Sequence, residues 1–132
     1  MLSSNFHDGN LISISTKDDT LVLCVSALGG ITNIVINDLE RLRVSDFKEG
    51  NIINSAHVFC GESESCDEGR YTSLVKYVYD MSDTALKNNE KLSLFLKRKI
   101  EEIKEGSLLI LEIEPSYGGY IVAIGKTISE GK

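Results

Sequence analysis

The apolar residues of this chain change their spacing once, and that change constrains the fold more than any motif does. In LISIS, Ile12 and Ile14 alternate with Ser13 and Ser15. That period of two is the mark of a half-buried strand. A polar turn at Lys17, Asp18 and Asp19 follows, and then Leu21, Leu23 and Val25 resume the alternation. Val22 and Cys24 occupy the opposite face of the same run, as expected of a central strand. Gly29-Gly30 reads as a hairpin signal, because glycine accepts the positive φ of a tight turn. ITNIVIN, LERLRVSDF and IINSAHVF add three more candidate strands, separated by short turns. Five strands joined this closely point to an antiparallel meander.

The second half has a different rhythm. Leu92, Leu96, Ile100 and Ile103 recur at helical spacing, so one main helix is expected over about 83–105. Asp83 is a candidate N-cap, with Asn88 or Asn89 the alternative for a later start, and Gly106 is the stop. SLLILEIE and YIVAIGKTI then read as strands, with Pro115 ending the ladder of the first. YTSLVKYVYD is ambiguous between strand and helix, and its tyrosine and valine content favours a strand. The expectation is an α+β domain spanning 1–132. It has an antiparallel β-sheet of about seven or eight strands and one main α-helix packed on one face.

Composition narrows the function. Apolar residues make up 42 %, enough for a core, yet no apolar run approaches the ~20 residues of a membrane span. The N-terminal MLSSNFHDGN has no basic or apolar targeting pattern, which with three cysteines points to a cytoplasmic protein with reduced thiols. The net charge of −6 argues against nucleic-acid binding, which needs a basic surface. Acid is densest in the middle. Residues 61–90 carry seven acids against three bases, and Glu62, Glu64, Asp67 and Glu68 fall within seven positions.

That acidic run sits in HVFCGESESCDEGR (57–70), which at first sight offers chemistry. His57, Cys60 and Cys66 make a poor zinc set, because the fourth ligand is missing and strand alternation turns His57 away from Cys60. A Cys60–Cys66 disulfide needs a tight turn, and the neighbouring acids disfavour a reactive thiolate. GESES lacks the final glycine of a nucleophile elbow. There is no phosphate-binding glycine loop, and Glu101-Glu102 point in different directions on a helix. No catalytic residue, metal or cofactor is therefore expected. What remains is a negative segment suited to docking on a basic protein, with Tyr71 beside it as a candidate contact.

FHDGNLISI, the following DTLVLCV, LERLRVSDFKEGNII and the terminal PSYGGYIVAIGK together resemble small bacterial immunity proteins of polymorphic-toxin and contact-dependent inhibition systems. The resemblance implies a cytoplasmic antitoxin that binds and blocks a toxin domain and has no catalytic residues of its own. In it, His7-Asp8-Gly9 would be a turn element with Asp8 bonding backbone. Joined to the acidic segment, it gives the functional expectation. This is a non-enzymatic inhibitor whose Glu62, Glu64, Asp67, Glu68 and Tyr71 meet a basic toxin, a nuclease being the best fit. The alternative is a small-molecule-binding or phage counter-defence protein with a pocket between sheet and helix.

Overall fold

The computed structural model describes residues 2–27, 29–61 and 68–131. They form eight strands and three helices. The strands are β1 (Asn10–Lys17), β2 (Thr20–Ala27), β3 (Gly30–Asn37), β4 (Arg41–Ser45), β5 (Asn51–Phe59), β6 (Leu109–Tyr117), β7 (Tyr120–Gly125) and β8 (Thr127–Gly131). The helices are α1 (Glu68–Val78), α2 (Asp83–Asn88) and α3 (Glu90–Glu105), all inserted between β5 and β6. The α+β class is as expected: an antiparallel sheet with helices against one part of it.

The sheet is not a simple meander. Two runs of three, β1-β2-β3 and β5-β6-β7, lie side by side in chain order, but the full order is β4-β7-β6-β5-β1-β2-β3-β8. That order requires the sheet to fold over on itself. In a flat sheet β3 and β4 would stand six strand spacings apart, about 29 Å at ~4.8 Å each. Yet only Asp38, Leu39 and Glu40 join them, and a four-step chain reaches about 14 Å at most. Lys126 alone joins β7 to β8, which are also six places apart. Both links are bends at which one strand passes between two four-stranded halves, β1-β2-β3-β8 and β4-β7-β6-β5, as in orthogonal sheet packing. Hydrogen bonds from Glu40 N to Ile124 O (2.8 Å) and Lys126 N to Asn37 O (3.1 Å) hold the two bends together.

The first core fills the space between the halves. Leu21, Leu23 and Val25 of β2, Ile34 and Ile36 of β3, Leu111 and Ile113 of β6, and Ile121 of β7 are all fully or nearly fully buried in it. Each such side chain contributes ~1.5–3 kcal/mol by leaving water. Phe6 and Leu2 join this core from the N-terminal segment. The turn before β1 is real, but its side-chain acceptors are Ser4 and Asn5, which take the N–H groups of Phe6 and His7. Asp8 contributes its own N–H, to Ile53 O at 2.8 Å.

The second core lies outside the β4-β7-β6-β5 half. Ile110, Val122 and Ile124 meet Tyr71, Leu74, Val75 and Val78 of α1 and Ile100 and Ile103 of α3. This overturns the strand reading of 71–80. Tyr71, Leu74, Val75 and Val78 fall at i, i+3, i+4 and i+7, one face of a helix, and packing on the sheet outweighs their strand propensity. The expected helix over 83–105 is also divided. Ser82, not Asp83, caps α2 by accepting from Ala85 N (3.0 Å), and Asn89 ends α2 and caps α3 by accepting from Leu92 N (3.2 Å). Gly106 stops α3 in the left-handed region at φ 86°, as glycine does at a helix end. Pro115 lies within β6, where the register against β5 shifts and its missing N–H is tolerated. Gly30 already belongs to β3, paired with Ala27, so it is Gly29 that takes the positive φ of that turn.

Part of the chain's acidity has a structural role. Among the described residues, six of the seven non-glycine residues at positive φ are aspartates: Asp8, Asp18, Asp19, Asp38, Asp46 and Asp80. Aspartate tolerates this region because its short side chain bonds locally.

Candidate functional site

The segment that carries the acids is framed by two anchored ends. On the β5 side, Phe59 packs its ring edge-on to Tyr71, with centroids 6.0 Å apart. The Cys60 thiol donates to Leu108 O at 3.5 Å, and Gly61 N donates to Ile103 O at 2.7 Å. On the helix side, Tyr71 Oη donates to Gly61 O at 2.9 Å, and Lys104 Nζ reaches Glu68 Oε2 at 3.1 Å. Both ends are therefore tied to the C-terminal turn of α3 and to each other.

Of the expected contact residues, Glu62, Glu64 and Asp67 lie outside the described residues, as does Cys66. Glu68 begins α1, where its charge complements the helix dipole, and it is exposed. Tyr71 is 3 % exposed and belongs to the second core, so it faces inward and is not an exposed contact residue. Cys24 and Cys60 are free thiols. No group of three or more His, Cys, Asp or Glu among the described residues is placed to hold a metal ion. No helix among them is long and apolar enough to cross a membrane.

Beside this frame lies a polar cluster that sequence reading missed. On β6 the even positions face the helices, so Glu112 and Glu114 point where Ile110 does. Glu112 is 1 % exposed. Its Oε1 takes a hydrogen bond from Arg70 Nη2, and its Oε2 takes one from Tyr120 Oη at 2.6 Å. Arg70 Nη2 also reaches Glu114 Oε1 at 3.0 Å. Burial and the Glu112 hydrogen bond push the Tyr120 hydroxyl well above the ordinary tyrosine range, so it stays a proton donor. Burial lowers the Arg70 pKa, but the hydrogen bond and charge of Glu112 outweigh that and raise it.

At the other end of α1, Arg43 of β4 stacks on the Tyr77 ring at 4.2 Å and donates to Tyr77 O at 2.7 Å. Tyr77 Oη bonds Ser45 Oγ, and its ring meets Tyr120 at 5.1 Å. The cluster thus clamps both ends of α1 to the sheet. Both Glu112 oxygens are engaged by donors, so the arrangement positions a helix rather than presenting a base. The one local sign of it was a carboxylate, Glu112, within an otherwise apolar run.

Compared with protein families, curated proteins and solved structures, the chain has no match. The functional reading therefore rests on the residues themselves.

Proposed function

We propose that this protein is a non-catalytic inhibitor of the immunity type, which docks on a basic partner through the acidic segment at 62–68. The observation that carries the reading is the frame around that segment. Gly61 and Tyr71 are bonded to each other, and Gly61 and Glu68 are each bonded to the last turns of α3. The two flanking residues are thus anchored, and the sequence from 62 to 68 carries four acids. A dense negative charge speeds encounter with a positive surface and selects against negative ones.

A toxin that acts on nucleic acid carries such a positive surface, because its substrate demands one. In this reading inhibition is steric, and the protein supplies no catalytic group. The cytoplasm is the compartment that suits free thiols. The alternative, a ligand pocket between sheet and helices, has less in its favour, because Leu74, Val75, Val78 and Ile103 fill that interface against Ile110, Val122 and Ile124.

The test is co-expression with the product of the neighbouring reading frame, followed by measurement of association rate against salt. Wild type should form a complex whose association slows as salt rises. Reversal of Glu62, Glu64, Asp67 and Glu68 to lysine should slow association at low salt and remove that dependence. Equal rates for the two proteins at every salt concentration would refute the assignment of this segment.

A further inference from the structure

We propose that two copies of this chain pair edge to edge through β1, antiparallel, about a twofold axis at Ser15. The starting point is the seam between β1 and β5. It is closed only at Asn10–Ile52 and Leu11–Asn51. Beyond Leu11 the strands part, and the seam opens into a groove of about 500 Å³ lined in part by Ile12, Phe47 and Lys48. From Ser13 to Lys17, β1 is paired with β2 alone.

The turn fixes which groups are left over. Lys17 and Thr20 flank a two-residue hairpin turn at Asp18 and Asp19, both at positive φ. In such a hairpin the flanking pair exchanges hydrogen bonds, and the pattern alternates from there. Lys17, Ser15 and Ser13 therefore bond to β2, while the N–H and C=O groups of Thr16 and Ile14 point away from it. No other backbone group among the described residues bonds to them.

Other sheet borders carry protection along much of their length, although Ser55–Phe59 of β5 is also paired on one side only among the described residues. β4 is five residues long and carries Arg41 and Arg43. β8 is also five residues long, and its Glu130 accepts from Ser3 N at 2.9 Å. β5 is bonded at Ile53 to Asp8 and Gly9, with His7 against Asn54 O. Short length, charge and covering segments are the usual means of blocking edge pairing. The free part of β1 is as short as β4 or β8, but among the described residues no segment covers it, and its only charge is Lys17 at the tip, with a bulge near Ile12.

The occupant of such an edge must be an extended backbone, since only that offers a matching row of donors and acceptors. A second copy fits. With the axis at Ser15, each Ile14 and Thr16 exchanges hydrogen bonds with the partner's Thr16 and Ile14. Ser15 then faces its own copy, and Lys17 faces Ser13. Within the paired stretch from Ser13 to Lys17 no like charges face each other, although each chain carries −6. The half-exposed Ile12 borders the new pairing. A strand-edge contact of this length is at the small end of interfaces, so the dimer is weak and its population rises with concentration.

Sedimentation equilibrium of the protein alone over a wide concentration range tests this. The mass should climb from 14.6 kDa toward twice that value. Thr16→Pro removes an outward N–H without touching the β1–β2 ladder, and Ser15→Lys sets two lysines face to face on an exposed side. Both should abolish the rise while keeping the wild-type circular dichroism; if the proline variant misfolds, the lysine variant decides. An equal mixture of Ser15→Lys and Ser15→Glu should restore it. A mass fixed at 14.6 kDa at every concentration, or a rise that either folded variant retains, would overturn the proposal.

Discussion

Replacing Arg70 by methionine tests the clamp that holds α1 on the sheet. The substitution keeps most of the side-chain stem and removes the guanidinium, leaving Glu112 buried with Tyr120 as its remaining donor. Breaking a fully buried ion pair costs about 3–5 kcal/mol, because an uncompensated charge stays behind. Arg70 is 40 % exposed, so water replaces part of what it supplied. The cost should therefore fall to about 2–3 kcal/mol. For a chain of this length that lowers the melting temperature by roughly 6–15 °C. Urea unfolding followed by far-UV circular dichroism, with an unchanged slope, reads the free energy directly.

The second half of the test is Glu112→Gln in the Arg70→Met background. The amide oxygen still accepts from Tyr120, and the buried charge is gone. If the unpaired charge is the main cost, the double variant should recover at least ~1 kcal/mol relative to Arg70→Met alone. An Arg70→Met cost under ~0.5 kcal/mol, typical of a surface pair, would refute the reasoning. So would a double variant that loses the full sum of both single losses.

Further outcomes follow from the same geometry. Alkali should unfold the protein: the pKa of Tyr120 is raised by burial and Glu112, and that of Lys99 is raised by Glu40 against the effect of burial. A group whose folded pKa is raised gives its full stabilisation below its unfolded pKa, here 10.0 for tyrosine and 10.5 for lysine, and loses it as pH rises through the folded value. Stability should therefore be insensitive to these groups near neutral pH and fall above about pH 10, as a pH series of thermal melts would show. Gly125→Ala should destabilise by about 1–3 kcal/mol in urea unfolding, because a Cβ there would strike the Ile36 side chain where β7 bends into β8. Asn51→Ala should cost about 2–3 kcal/mol by the same assay. Its buried amide accepts from Lys48 N and Gly119 N, tying two loops together.

The strands of the first sixty residues were legible because each shows its own alternation and its own turn. Gly106 and the Asn89 cap were legible for the same reason: their signals are local. The helix at 68–78 was not recovered, although its stripe of Tyr71, Leu74, Val75 and Val78 is present in sequence. Tyrosine and valine favour strands, and only the apolar face of the sheet, formed by distant strands, decides the matter. The folding of the sheet onto itself was also hidden, since it depends on β3 meeting β8 and β4 meeting β7 across the chain. The Arg70–Glu112 pair spans 42 positions and has no local signature. For the candidate site, the acids and their density were read from sequence. The inward position of Tyr71 was not, because exposure follows from which face of α1 meets the sheet.

The central claim is that the acids at 62–68 are the docking surface for a basic partner. Association of the wild-type protein with the product of the neighbouring reading frame, measured by stopped flow across a salt series, tests it most directly. The account predicts a wild-type rate that falls steeply with salt and a four-lysine variant that is slow and insensitive to salt. A complex that forms equally fast with both proteins, or no complex at all, would contradict it.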